Sequence, residues 1–217
     1  MAKQETLQTI LETGILPIIR TDTAEQALRA AEAVHRAGIK VLEVTMTVPG
    51  ALRVLEKVAD EFGDEMILGA GTVLDSETAR SCMLAGAEFF VTPALNRATI
   101  DICNRYSKCI MAGALTPTEA LQAWEAGADM VKIFPVGMVG GPSYIKALKA
   151  PLPQILMIPT GGVTLANAKA FFEAGASAIA VGSELVDRAS LDSGDFSKIE
   201  RTAKALADIV ADYRATA

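Results

Sequence analysis

Short apolar runs alternate with longer amphipathic runs along the whole chain, and the alternation occurs eight times. The apolar runs are Leu16–Arg20, Val41–Met46, Met66–Thr72, Phe89–Pro93, Cys109–Leu115, Met130–Pro135, Ile155–Thr160 and Ala178–Ser183. Each has the length of a strand, and their starts recur about every 20 to 26 residues, the spacing of a strand–helix module. Seven helical stretches separate the strands, Phe196–Arg214 supplies an eighth, and a short extra N-terminal helix over about Lys3–Glu12 precedes the first strand.

An internal signature supports the repeat. Ala37-Gly38-Ile39, Ala85-Gly86-Ala87, Ala126-Gly127-Ala128 and Ala174-Gly175-Ala176 each close a helix just ahead of a strand, where glycine takes the left-handed position after the helix without a Cβ penalty. These glycines are 48, 41 and 48 residues apart, so the repeat spans two strand–helix units. Eight units without a break in composition predict an α/β fold, a closed (β/α)8 TIM barrel, as a single domain over residues 1–217. A doubly wound open sheet is the competing arrangement, but it usually has fewer strands or a visible domain split. A chain of this length buries about 70% of its unfolded surface. Hydrophobic residues make up 51% and aromatics 5%, which suits an aliphatic α/β core better than a β-sandwich.

The net charge is −6 and the sequence pI about 4.9. With no basic stripe, neither nucleic acid nor an anionic membrane surface is an expected partner. An anionic ligand would have to be held by a few local Arg or Lys side chains and backbone N–H groups. No apolar stretch reaches the ~18 residues of a membrane span. Met1–Ile10 lacks the basic-then-apolar layout of a secretory signal, so a cytoplasmic protein is expected. Cys82, Cys103 and Cys109 have no metal-ligand spacing, and reduced thiols are the simplest account of them. The single histidine, His35, sits in a helix pattern, so a His-rich zinc site is not available. Neither a metal nor a cofactor is expected.

In this fold, sites are built at the C-terminal rim of the barrel. The apolar runs end there in Arg20, Glu43 with Thr45, Gly71 with Thr72, Thr92 with Pro93, Lys132, Thr160 with Gly161 and Gly162, and Gly182 with Ser183. Lys132 stands inside Met130-Val131-Lys132-Ile133-Phe134-Pro135. Burial disfavours its ammonium form, lowers its pKa and makes the neutral amine accessible, a nucleophile for carbonyl carbon. The bland alternative is a lysine with a buried stem and a head that reaches solvent or pairs with a carboxylate.

Glu43 moves the balance. Strand alternation puts Val41, Glu43 and Thr45 on one face, and a lysine four strands along can point into the same lumen. A buried Glu43–Lys132 ion pair without chemistry would often be neutral or unfavourable for stability, so a general acid/base at Glu43 is the better reading. Thr160-Gly161-Gly162-Val163 and Val181-Gly182-Ser183 fall after strands seven and eight, where barrels often bind phosphate with backbone N–H groups, a short helix N-terminus and a hydroxyl. The same glycines would also serve tight turns alone. Arg20 suits bidentate carboxylate recognition or a rim ion pair, and the residue by itself does not decide between them. The glycine-rich stretch Pro135–Pro142 reads as a mobile cover or a long turn. Cys82, Cys103, His35 and Trp124 read as packing or surface residues.

Taken in order, Glu43-Val44-Thr45, Gly69-Ala70-Gly71-Thr72-Val73-Leu74, Val91-Thr92-Pro93, Val131-Lys132-Ile133-Phe134-Pro135, Pro159-Thr160-Gly161-Gly162-Val163 and Val181-Gly182-Ser183 resemble the class I 2-keto-3-deoxy-6-phosphogluconate (KDPG) / 2-keto-4-hydroxyglutarate (KHG) aldolases. The resemblance covers about Ile15 to Val186. It implies a (β/α)8 barrel, usually a homotrimer, in the Entner–Doudoroff or a related sugar-acid pathway. It implies that Lys132 is the Schiff-base lysine and Glu43 the acid/base, with Thr45, Thr72, Pro93, Phe134 and Thr160 toward the keto acid. Gly161, Gly162, Gly182 and Ser183 fall where the family binds phosphate. One position departs: some members carry a carboxylate-binding arginine where this chain has Thr47. Other members carry one at the end of the first strand, and the resemblance therefore gives that role to Arg20. The implied reaction is cleavage of KDPG to pyruvate and glyceraldehyde 3-phosphate. The alternatives are KHG, the 6-phosphogalactonate epimer, and, from another class, a non-catalytic phosphosugar-binding barrel.

Overall fold

The computed structural model describes residues 2–216, so the two terminal residues of the 1–217 span lie outside it. Eight parallel strands form a ring: β1 (Ile15–Ile19), β2 (Val41–Thr45), β3 (Ile67–Gly71), β4 (Phe89–Val91), β5 (Cys109–Ala114), β6 (Met130–Ile133), β7 (Met157–Pro159) and β8 (Ile179–Val181). Each strand pairs with its sequence neighbours from β1 to β7, and β8 pairs with β1 through Ile15 opposite Ile179 and Pro17 opposite Val181. The last gap is closed by a parallel bridge between Thr160 and Ala180, with the Ser177 N–H donating to the Met157 carbonyl at 2.9 Å. The expected (β/α)8 barrel is the observed fold, and the open-sheet alternative is excluded by this closure.

Every strand residue is buried, as a parallel sheet with side chains filling its inside and helices covering its outside requires. Helices α2 (Ala24–Arg36), α3 (Ala51–Phe62), α4 (Ser76–Leu84), α5 (Arg97–Arg105), α6 (Pro117–Glu125), α7 (Pro142–Lys149) and α8 (Ala168–Glu173) follow β1 to β7 in turn. Their starts are written locally. Thr23, Asp75, Asn96 and Thr116 each accept a hydrogen bond from the backbone N–H three residues on, and each such cap contributes about 1 kcal/mol. Their ends carry the repeated signature: Gly38, Gly86, Gly127 and Gly175 have φ of 83°, 97°, 90° and 96°.

The N-terminal helix α1 (Lys3–Thr13) packs against β1, β2 and β5, strands from opposite sides of the ring, and so spans the N-terminal mouth. Thr6 and Ile10 are buried beneath it, and Lys3 pairs with Asp129 at 3.0 Å just ahead of β6. The Arg214 guanidinium ties the other end by donating to the carbonyls of Leu11 and Glu12. One mouth is thereby stoppered, which leaves the C-terminal mouth for a ligand.

Two stretches differ from the sequence expectation. After β8 the chain forms a short helix α9 (Arg188–Ser193), capped by Asp187 accepting from the Ser190 N–H, before the long α10 (Ser197–Thr216). The glycine-rich stretch after β6 is not an open loop throughout, because Val136–Val139 winds into a 3-10 turn. Among the described residues, no helix is long and apolar enough to cross a membrane.

Candidate active site

Lys132 projects from the centre of β6 into the barrel, paired in register with Gly113 of β5 and Ile158 of β7. The side chain is nearly fully buried, and among the described residues its Nζ has no hydrogen-bond partner. Nζ lies 5.3 Å from the centroid of the Phe134 ring, whose face attracts a cation. Burial is the largest influence on this amine and lowers its pKa. The Glu43 carboxylate acts in the opposite direction, and the Arg20 guanidinium adds to the lowering.

Glu43, on β2, is fully buried, and neither carboxylate oxygen has a hydrogen-bond partner among the described residues. Burial raises its pKa, while the charges of Lys132 and Arg20 pull it back. The two groups therefore share one field without forming an ion pair: among the described residues none joins them. That geometry disfavours the reading in which they merely neutralise each other. Buried charges that do only that are held together by direct hydrogen bonds.

Above Lys132 a cavity of about 300 Å³ opens to the C-terminal mouth. Its walls include Lys132, Phe134, Thr72 and Pro93, with Arg20 at the rim. Thr160, Gly161, Gly162, Gly182 and Ser183 line it too, and Phe134 stands beside Gly161. Arg20 is exposed and its Nη2 donates to the Thr72 hydroxyl at 3.5 Å. Thr72 is held at φ 55°, an outlier for a β-branched residue and a form of backbone strain that persists where surrounding structure imposes it.

Two candidate residues do not line the cavity. Glu43 is fully buried inside the barrel. The Thr45 hydroxyl donates to the Ile19 carbonyl at 3.1 Å and lies 2.9 Å from the Thr47 hydroxyl. Thr45 thus links β2 to β1, and Thr47, at the departing position, is its partner.

The two glycine turns meet at one end of the cavity. In the first, the Thr160 and Gly161 carbonyls accept from the N–H groups of Val136 (3.0 Å) and Gly137 (2.8 Å), and the Gly162 carbonyl accepts from the Asn167 side chain (2.9 Å). With the carbonyls so fixed, the N–H groups of Gly162 and Val163 donate to no described protein acceptor. Gly161 and Gly162 have φ of 81° and 91°, conformations that disfavour a side chain. In the second turn, the Gly182 carbonyl accepts from the N–H groups of Leu185 and Val186.

Sequence reasoning missed several contributors. Ile18, Val163, Ala180 and Val186 supply the apolar lining, and only Ile18 was accessible from strand alternation. Asn167 gave no signal, because its job is a contact back to the turn five residues earlier. Cys82, Cys103 and Cys109 are buried, and burial pushes the Cys82 and Cys103 thiols up to about 12 and raises that of Cys109 as well, so they are inert packing groups at neutral pH. Among the described residues no three His, Cys, Asp or Glu side chains converge as a metal-ligand set.

A family model described as "Aldolase: KDPG and KHG aldolase" matches residues 7–202. The chain is 36% identical to the 2-dehydro-3-deoxy-6-phosphogalactonate aldolase of Escherichia coli, over 92% of this chain and 94% of that one. It is 32% identical to the 2-dehydro-3-deoxy-phosphogluconate aldolase of Treponema pallidum, over 90% and 93%. It also superposes with a TM-score of 0.83 at 27% identity on the KDPG aldolase of Legionella pneumophila, a structure with pyruvate captured as a covalent carbinolamine, over 93% of this chain and 97% of that one. A closed barrel with a buried amine at mid-strand facing a keto-acid-sized cavity, and these likenesses over nearly the full length, lead to one conclusion: the chain belongs to the KDPG and KHG aldolase family and is a carbon–carbon lyase.

Proposed function

We propose that the protein cleaves 2-keto-3-deoxy-6-phosphogluconate to pyruvate and glyceraldehyde 3-phosphate through a Schiff base on Lys132. The observation that carries this is the Lys132 amine: buried, without a hydrogen-bond partner among the described residues, and lining a cavity whose far end has unused backbone donors.

The neutral Nζ adds to the C2 ketone, giving a carbinolamine. Glu43 assists the departure of water, and a cationic iminium forms. As the C3–C4 bond breaks, its electron pair flows into the iminium and the C4 hydroxyl proton passes to Glu43. Glyceraldehyde 3-phosphate leaves. The enamine is then protonated at C3 by the Glu43 carboxylic acid, and hydrolysis frees pyruvate and the amine. Both buried groups are shifted in the direction this sequence needs: the amine toward neutral, and the carboxyl toward a pKa at which it both takes and returns a proton. Arg20 with Thr72 holds the keto-acid carboxylate at the rim, and the Gly161-Gly162 turn, through the N–H groups of Gly162 and Val163, holds the phosphate with Ser183.

A second substrate has a specific argument behind it. The 36% likeness to the galactonate aldolase, and threonine at position 47, favour activity on the epimer at C4 as well. Assays with both epimers and with KHG decide the order of preference. KHG as the preferred substrate would displace the phosphosugar reading.

The phosphate end has its own test. Ser183→Asp places a carboxylate against the phosphate, and like charges so close cost several kcal/mol. The KM for the phosphorylated substrate is expected to rise about 100-fold. Reductive trapping with pyruvate, which has no phosphate, is expected to stay within about twofold. Equal losses in both assays would remove the phosphate from this end of the cavity.

A homotrimer in the cytoplasm completes this reading. Exposed Leu52 on α3, Leu74 before α4 and Leu84 at the end of α4 support burial against another copy, and sedimentation of the purified protein tests it.

A further inference from the structure

Two glycines on the inner face of β3 sit under side chains from the neighbouring strands. A β-carbon built on Gly69 would lie 2.0 Å from Cε2 of Phe89, and one built on Gly71 would lie 1.7 Å from Oε1, 2.3 Å from Cδ and 2.5 Å from Cγ of Glu43. The Phe89 ring and the Glu43 carboxyl thus occupy consecutive hollows on one strand. Neither glycine is demanded by its backbone, since neither has positive φ. What each supplies is the space of a missing methyl group. At Gly69 that space belongs to a fully buried ring of the core. At Gly71 it belongs to a carboxyl group that has no hydrogen bond among the described residues to fix it.

We infer that Gly71 is a positioning residue for the aldol reaction: its bare α-carbon sets where the Glu43 carboxyl stands in the lumen relative to Lys132. This rests on the proton-carrying role proposed for Glu43. With no hydrogen bond among the described residues to hold it, the carboxyl is placed by packing, with Gly71 beneath it, and by the field of Lys132 and Arg20. A methyl group at Gly71 displaces the carboxyl by well over an ångström. The fold takes this up by turning the Glu43 side chain, because the clash, from Cγ to Oε1, is with side chain and not with backbone. The chemistry does not tolerate it, because that side chain carries the reacting oxygens.

The test is a double-mutant cycle on the whole enzyme. Gly71→Ala is expected to lower kcat on the order of 100-fold, the size of effect that an ångström of misplacement produces, with KM changed by less than about threefold. Its pH–rate profile is expected to shift, because the carboxyl leaves its present surroundings. Glu43→Asp, one methylene shorter, is expected to harm the native background but to raise kcat about tenfold when added to Gly71→Ala. In Glu43→Ala, adding Gly71→Ala is expected to change nothing further.

Thermal melts accompany each variant, and Gly71→Ala in the Glu43→Asp background, compared with Glu43→Asp alone, serves if the single alanine variant does not accumulate. Losses that multiply across the cycle, with no rescue by Glu43→Asp, overturn the positioning role while leaving the Glu43 role intact. Full activity in Glu43→Ala overturns the underlying reading instead.

Discussion

Lys132→Met is expected to abolish turnover, with kcat lower by at least about 10⁴-fold, because loss of the nucleophile leaves only binding and the surrounding electrostatics. Methionine keeps the stem volume, so the cavity and the phosphate end persist and product binding should be retained. Turnover assays and phosphate-analogue binding measured side by side separate loss of chemistry from loss of structure.

Stability should move the other way. Burial lowers the folded-state pKa of Lys132 below that of an unfolded lysine, so over the window between the two the unfolded chain binds more protons. The stability tied to this group is full above the unfolded value of ~10.4 and is lost as pH falls through the folded one, so at neutral pH the buried amine destabilises the native state. Glu43 has the mirror relation: its raised pKa removes stability as pH rises from the unfolded carboxylate value of ~4.3 through the folded value. Lys132→Met with Glu43→Gln is therefore expected to be about 1–3 kcal/mol more stable than the native protein near neutral pH, some 2–10 °C in Tm. A lower Tm would mean that the pair supports the barrel.

Glu43→Gln is the second large effect expected, a fall in kcat of about 10² to 10⁴-fold, the span that general acid–base groups contribute. The amide occupies the same hollow over Gly71, so KM and the position of Lys132 should change little. In the proposed mechanism Glu43 serves dehydration, bond cleavage and enamine protonation, so both cleavage and proton exchange at C3 of pyruvate should slow together. Exchange of pyruvate methyl protons with solvent deuterium reads the last step alone. Slowed cleavage with unchanged exchange would assign the proton at C3 to another group. The charge removed also holds the Lys132 pKa up, so the amine in this variant should titrate lower still.

Much of the barrel was legible because its determinants are local. The strands announce themselves by apolar runs and the helix ends by the four Ala-Gly pairs. Lys132 and Glu43 were visible for a related reason: a charge inside an apolar strand is an exception to burial rules that a single line of sequence displays.

The remainder depends on pairing between distant segments. The hollow at Gly71 exists only once β2 and β3 are in register, with Thr45 opposite Gly71. The Thr45 hydroxyl could not be known to bond the Ile19 carbonyl before β1 lay beside it. Asn167 reveals its role only in the folded turn, and the left-handed Thr72 breaks a local rule that sequence reasoning would have upheld. Helix α9 was missed because six residues carry too little periodicity to stand out, although Asp187 three places before Ser190 is a usable cap signal.

The central claim is that a neutral, buried Lys132 amine bonds covalently to the keto acid. Its most direct test is borohydride reduction in the presence of pyruvate, followed across pH and mapped by peptide mass. The account predicts a single adduct on the peptide carrying Lys132, forming with a half-maximal rate well below the ~10.4 of an ordinary lysine. No adduct, an adduct on another lysine, or a half-maximum at the ordinary lysine value would contradict it.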